Sequence, residues 1–250
     1  MASNPNVVAQ PTDPINPLQR VPARSKFFVG FAALLLALVS IGFGRTYFLR
    51  PWFDVPEIPW YLYVHATALA SWFLLLVVQT SLVAVRRMDL HRRLGIAGAF
   101  LAPVVVVTAA VSVLGLPARS QTANLAYPLD ATAVRLTVWA DLSSLVTFST
   151  LIALALLWRR RPEVHKRLML LASLPLVGSA VSRLPLPGQP AIQGLLILVL
   201  PLTIVLRDVI ATRRVHPATI GGVAAQLVTF GVFQWIGMSA FGGAFVAALE

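Results

Sequence analysis

Cysteine is absent from the 250 residues of this chain. This absence excludes disulfides, thiolate metal sites, iron–sulfur clusters and cysteine nucleophiles. Charge is also scarce, because only 12% of the residues are charged, against about 25% in a soluble domain. So little charge cannot cover the surface of a globule in water, and the composition therefore excludes an ordinary soluble domain.

Apolar residues take the place of the missing charge, at 58% of the chain and a mean hydropathy of +0.80. A helix needs roughly 20 apolar residues to cross a bilayer, whose core offers the backbone no hydrogen bonds. Seven runs approach this length: Lys26–Tyr47, Tyr61–Val85, Leu94–Leu116, Leu136–Trp158, Leu168–Leu184, Ile192–Val209 and Ala218–Ala248. We therefore predict an all-α fold, an integral membrane bundle of about seven transmembrane helices.

The basic residues fall mainly on one of the two sides that seven spans create. That side carries 15 of the 20 lysines and arginines, and with them the whole net charge of +11. Because basic loops stay in the cytoplasm, we predict a cytoplasmic (inner) membrane protein with its N-terminus in the cytoplasm and its C-terminus outside. The basic residues lie in short turns against the bilayer, so anionic lipid head groups, and not nucleic acid, are the expected partners.

The two ends of the sequence differ in composition. The first 25 residues are polar and contain five prolines, a composition typical of a disordered tail. We therefore divide the chain into a cytoplasmic tail, residues 1–25, and a single transmembrane domain, residues 26–250.

Three turns on the basic side have similar sequences. RRMDLHRRLG contains His91, RRRPEVHKRLM contains His165 and RRVHPAT contains His216. In the first two turns an arginine precedes the histidine by four residues, an acid lies between them, and a basic pair and a leucine follow. The repetition predicts parallel helical hairpins that hold the three histidines at one depth.

Three interpretations of these histidines remain open. Neutral imidazole is a good ligand for haem iron and for copper, so the histidines predict a cofactor site. The surrounding arginines and helix N-termini favour a phosphate or a carboxylate instead. The third interpretation is that these turns only bind lipid head groups and fix the topology.

A second group of polar residues falls inside the predicted spans, where polar side chains are costly and tend to mark function. His65, Trp72 and Gln79 are seven residues apart and share one face of the second helix. This spacing predicts that the face looks into the bundle.

Helix counting places His65 at the depth of three charged residues, Arg45, Asp141 and Arg183. An unpaired aspartate there is costly, so we predict that Asp141 pairs with Arg45, Arg183 or His65. The pairing has three interpretations: a structural ion pair, a proton-handling histidine–aspartate pair, or a pocket for a quinone or an acidic small molecule.

Several segments carry a resemblance to known proteins: HRRLG, HKRLMLLA, GFGRTYF and HATALASWFLLLVVQT. From about Gly42 to Gly222 the chain resembles a family of uncharacterised bacterial membrane proteins, in which a late aspartate and an Arg–His–Pro turn correspond to Asp208 and His216. The turns are more distantly similar to those of membrane proteins linked to haem-copper oxidase assembly and of b-type cytochromes. The paired intramembrane histidines of those cytochromes are not found in this sequence, so the similarity implies only the architecture. Haem b or copper is the cofactor that the histidines themselves would bind.

Three hypotheses for the function follow. The first is a redox-associated membrane protein that binds haem, copper or quinone through His65, or through His91, His165 and His216. The second is a non-redox binder or transporter of a small anionic or lipidic solute, which uses Arg45, His65, Asp141 and Arg183. Trp72 and Gln79 are further candidates for contact with this solute. The third is a structural subunit of a membrane complex or a homo-oligomer.

Overall fold

The computed structural model describes residues 23–122, 125, 129–184 and 191–250, and residues 1–22 of the predicted tail lie outside them. Within these ranges the regular structure is helical and contains no strand, which confirms the all-α prediction. The α-helices are α1 (Ala23–Gly42), α2 (Trp60–Ala84), α3 (Met88–Leu114), α4 (Leu116–Gln121), α5 (Ala131–Leu157), α6 (Pro162–Ser173), α7 (Gly178–Val181), α8 (Ala191–Thr212), α9 (Pro217–Met238) and α10 (Ala240–Ala247).

Six helical segments of the described chain are long and apolar enough to cross a membrane: Trp60–Ala84, Met88–Leu114, Ala131–Leu157, Pro162–Val181, Gly194–Thr212 and Pro217–Met238. The chain is thus built as a multi-pass membrane protein. The first of the seven predicted spans forms a shorter apolar helix, Lys26–Gly42. It continues into a π-helical segment, Gly44–Phe48.

Several helices begin earlier than their apolar runs, because polar residues start them. Helix α5 begins at Ala131, where the Asp130 carboxylate accepts a hydrogen bond from the Ala133 N–H at 2.7 Å. Helix α6 begins at Pro162, whose fixed φ suits the first helical position. Apolar runs alone do not reveal these first helical turns, since a helix N-terminus favours polar capping residues.

Two of the predicted spans are interrupted. The fifth breaks after Ser173, because Pro175 has no N–H to donate to the Leu171 carbonyl. The Leu171 carbonyl accepts the Leu174 N–H at 3.3 Å instead. Gln226 of α9 is its second donor, with Nε2 2.7 Å from the Leu171 oxygen. The last span changes direction at Ser239, whose hydroxyl caps α10 by accepting the Gly242 N–H.

The core lies between α1, α2, α5, α6 and α7. Trp72 is buried in this core. Its indole N–H donates to the Ser173 hydroxyl at 3.1 Å, and its ring packs edge-to-face on Phe148. Helices α1 and α7 touch at Gly42, where a Cβ would collide with the backbone of Ala180. The predicted inward face of α2 is therefore buried at Trp72.

The three histidine turns, which connect α2 to α3, α5 to α6 and α8 to α9, lie together at one end of the bundle. We call this end the basic end and the opposite end the distal end. Arg86 and Arg213, the first members of two arginine pairs, both have positive φ, at 61° and 57°. Two of the three turns thus share a left-handed arginine, as their similar sequences would lead one to expect.

A buried ion pair joins α6 to α8 at the basic end. The Arg167 guanidinium donates to Asp208 through Nε at 3.0 Å and through Nη2 at 2.6 Å. Arg167 is 2% exposed and Asp208 is not exposed at all. Two parallel hydrogen bonds at this burial fix the relative position of the two helices.

Further donors complete the coordination of the Asp208 carboxylate. Arg207 donates to it at 3.0 Å, the Thr219 hydroxyl at 2.6 Å and the His216 backbone N–H at 3.3 Å. Thr219 and His216 belong to the start of α9. One carboxylate therefore connects α6, α8 and α9.

Helix α1 is held at the same place by its phenylalanines. The Arg207 guanidinium lies 4.8 Å from the Phe28 ring centroid, and the Lys166 ammonium lies 5.0 Å from it. Cation–π contacts of this kind attract a charge to an aromatic face. The N-terminal part of α1 thus packs at the basic end.

We expect Arg167→Met to lower the free energy of unfolding by about 3–5 kcal/mol, because it leaves a buried carboxylate without its main partner. Unfolding of the purified protein in mixed micelles measures the change. The control is Arg87→Met, which breaks an exposed ion pair with Asp89 and should cost at most about 1 kcal/mol. Equal losses in the two variants would contradict a structural role for the buried pair.

Candidate functional sites at the two ends of the bundle

Two clusters of polar side chains lie at opposite ends of the helices. The first cluster lies at the basic end. It consists of His91 and His165, which we call the histidine pair, and of the neighbouring Gln79. The second, the distal layer, consists of residues from α2 to α5 and from the segment after α7: Tyr61, His65, Thr108, Arg119, Asp141 and Arg183.

The histidine pair forms because two similar turns place an imidazole in the first turn of a helix. His91 lies in the first turn of α3 and His165 in the first turn of α6. Their ring centroids are 6.5 Å apart, and the ring planes are nearly perpendicular at 81°. The structure thus brings together two of the three histidines of the predicted cluster.

The hydrogen bond of His165 determines which of its nitrogens carries a proton. Its Nδ1 lies 2.9 Å from the Ala155 carbonyl oxygen near the end of α5. A carbonyl only accepts, so Nδ1 carries the hydrogen and Nε2 keeps a lone pair. This is the arrangement in which a histidine presents Nε2 to a metal while its second nitrogen is held by the backbone.

The other side of the pair contains two buried polar atoms without a partner in the described structure, Nδ1 of His91 and Oε1 of Gln79. Gln79 lies near the end of α2 and packs against α3, with its Nε2 3.8 Å from the position a Cβ would take at Gly95. Buried polar atoms are normally hydrogen-bonded. One of these atoms belongs to α2 and the other to α3, and the described structure leaves the hydrogen-bonding capacity of both unused.

His216 is used differently. Its Nδ1 accepts the Ala218 N–H at 3.1 Å and so caps α9. Within the described ranges no group of three or more histidine, aspartate or glutamate side chains is placed to hold a metal ion. The predicted cluster of three histidines is therefore not formed, because the third ring is engaged as a helix cap.

In the distal layer, His65 of α2 faces Thr108 of α3, with Nδ1 and Oγ1 3.4 Å apart. The Thr108 hydroxyl donates to the Val104 carbonyl at 2.8 Å, so its oxygen is left to accept from His65. This assigns the hydrogen of His65 to Nδ1 and a lone pair to Nε2.

Asp141 lies in α5 and makes no ion pair with any described residue; the positive charge of Arg183 acts on it at longer range. Arg183 also acts on His65, as the predicted common depth requires. Arg45 is turned away, with its guanidinium 5.5 Å from the Phe53 ring centroid. A direct pair between Asp141 and any of the three predicted partners is therefore not formed in the described structure.

An apolar crevice lies beside His65, between the end of α1 and α2. Its lining includes Phe43, Tyr47, Phe48 and Leu69, and its volume is about 30 Å³. This is about the volume of one water molecule in the liquid. The crevice as it stands is too small for the ring of a quinone.

The chain matches no protein-family model, no curated protein and no solved structure. The family resemblance of the turns therefore stays a prediction, and a function has to be argued from the two clusters.

The sequence did not single out Arg119, and it pointed to Asp208 only through the family resemblance. Arg119 lies between the third and fourth predicted spans, and its one signal is that basic residues are rare on that side. Asp208 stands inside the apolar run Ile192–Val209. An acid inside a span was therefore the available signal for the buried ion pair.

His216 makes the stability of the protein dependent on pH. Burial, followed by the positive charge of Arg167, lowers the pKa of His216 below its usual value of 6.5. Between the two pKa values the unfolded chain binds more protons than the folded one, so stability falls as the pH drops below about 6.5. We expect the melting temperature to fall when the pH is lowered from about 7 to about 5.

The control for this pH dependence is His216→Asn, which keeps a capping oxygen but does not titrate. Its melting temperature should fall less over the same pH interval. Parallel curves for the two proteins would show that protonation of His216 does not break the cap.

Proposed function

We propose that this protein is a redox-associated, multi-pass membrane protein that binds copper(I) through His91 and His165. The observation that carries the proposal is the contact between the two rings at the basic end, with 6.5 Å between their centroids. A metal–imidazole nitrogen bond is about 2.0 Å, and the nitrogen lies about 1 Å from its ring centre. An imidazole–metal–imidazole unit thus spans about the observed distance.

The donor set favours copper(I) over the other cofactors. Zinc takes four ligands in a structural site and three protein ligands in a catalytic one, whereas the described residues offer two imidazoles and the weak Gln79 amide oxygen. Copper(I) is stable with two nitrogen ligands, which is the number of imidazoles that His91 and His165 supply.

The electrostatics of the basic end also favour an ion of low charge. Arg92 and Arg93 follow His91 directly, and both are exposed. Positive side chains and helix N-termini repel a bound cation, and the repulsion is smaller for a single positive charge than for two. Water screens the exposed arginines further. Bound copper would supply one-electron chemistry at this end of the bundle.

Copper binding is tested with copper(I) itself, in competition with a colorimetric copper(I) chelator, on the purified protein in detergent. We expect one copper ion per chain, and at least about tenfold weaker binding in His91→Gln and His165→Gln. X-ray absorption should show two nitrogen ligands at about 2.0 Å.

His216→Gln is the matched control, because it removes a histidine from the same end of the bundle. It should keep one copper ion at the affinity of the unmodified protein. Loss of copper in this variant, or no stoichiometric copper in the unmodified protein, would overturn the proposal.

We further propose seven spans in the cytoplasmic membrane, with the basic end in the cytoplasm. Helix α1 and the π-helical segment that follows it, Gly44–Phe48, together supply the length of a seventh span. The three arginine-rich turns at one end favour this orientation. An odd number of spans places the C-terminus outside.

The absence of cysteine makes this topology easy to test. A single cysteine in place of Asp89 should resist an impermeant thiol reagent in intact cells, and one in place of Ser120 should react. Each must react fully once the membrane is permeabilised. The reverse pattern would reject the proposed orientation.

A further inference from the structure

Acidic and basic side chains are distributed unequally along the bundle. The ion pairs of the described residues all lie at the basic end: Arg87–Asp89, Lys166–Glu163, Arg167–Glu163, Arg167–Asp208 and Arg207–Asp208. At the distal end, Arg119 is held by neutral groups of the described structure.

Arg119 of α4 is the distal arginine that the structure positions most closely. Its Nη1 donates to the Tyr61 hydroxyl at 2.8 Å and its Nη2 to the Ser112 carbonyl at 2.8 Å. The guanidinium also lies 5.7 Å from the Tyr61 ring centroid. All of these partners are neutral, so the half-buried guanidinium keeps its full charge.

Gly115, at the junction of α3 and α4, makes room for this arrangement. A Cβ at this position would lie 2.8 Å from Nη1 of Arg119 and 3.2 Å from the Tyr61 hydroxyl. The first distance is shorter than any ordinary carbon–nitrogen contact. A side chain at Gly115 would therefore displace the Arg119 guanidinium. The position of the guanidinium thus depends on the bare backbone at Gly115 and on its hydrogen-bond partners.

The guanidinium has unused hydrogen-bonding capacity. It carries five N–H donors in a fixed plane, and the described structure uses two of them. Arginine binds carboxylates through pairs of parallel N–H groups. A cation held by neutral acceptors, with donors to spare, is suited to an anion of this shape.

His65 provides a second contact next to Arg119. It lies one helical turn after Tyr61 on the same face of α2, and the charges of Arg119 and Arg183 both act on it. With Nδ1 directed at Thr108, its Nε2 is an acceptor. Arg119 thus offers positive charge for an anion, and His65 offers an acceptor for a hydroxyl group.

We propose that the distal layer binds a small organic carboxylate, whose oxygens pair with the Arg119 guanidinium. The proposal is independent of the copper site, which lies at the other end of the bundle. The carboxylate has two sources, a water-soluble organic acid or a fatty acid in the bilayer, and the chemistry at Arg119 is the same for both.

The experiment measures saturable binding of radiolabelled propionate to the full chain in lipid nanodiscs, with unlabelled acetate and laurate as competitors. We expect Arg119→Gln to weaken binding at least about tenfold. Arg119→Lys, which keeps the charge but not the paired donors, should bind with intermediate affinity. Competition by acetate points to a soluble acid, and competition by laurate alone points to a fatty acid.

Two further variants separate binding from folding. Gly115→Ala keeps the arginine but displaces its guanidinium, so it should also weaken binding. Arg50→Gln removes another distal arginine, one that donates to the Val55 and Pro56 carbonyls, and should leave binding unchanged. No saturable binding in the unmodified protein, or equal losses in Arg119→Gln and Arg50→Gln, would overturn the proposal.

Discussion

The buried ion pair between Arg167 and Asp208 is the constraint on which the basic end depends. A charged pair removed from water is stable only where its remaining hydrogen-bonding capacity is filled, and here Arg207, Thr219 and His216 fill that of the carboxylate. These partners come from the end of α8 and the start of α9. The ion pair thus holds α6 against α8 and α9. The first helical turn of α6, which carries His165, is held in place with it.

The position of His165 therefore follows from interactions that do not involve its own ring. Its Nδ1 is held by a carbonyl of α5, while the helix that carries it is held by α8. His91 comes from a different hairpin, built from a similar sequence. The juxtaposition of the two rings is thus a consequence of similar turns packing together, and the proposed copper site depends on it.

The sequence predicted the helical membrane architecture and the basic end, because apolar runs and clustered arginines reflect the bilayer directly. It could not predict that His216 caps a helix, since that depends on the φ and ψ angles of one residue. Nor could it predict that Asp141 lacks a direct partner among the described residues, because helix counting gives depth but not rotation about the helix axis. Pairing across the bundle, as between Gln226 and the Leu171 carbonyl, depends on that rotation.

The two ends show two ways of keeping a charge among apolar helices. At the basic end a carboxylate neutralises its neighbours, and what remains buried and unsatisfied is uncharged: an imidazole nitrogen and an amide oxygen. Such a site favours an ion of low charge that binds neutral donors. At the distal end an arginine is held by neutral acceptors and keeps its charge, which favours an anion. The ligand class proposed for each end thus follows from how the neighbouring charges are balanced.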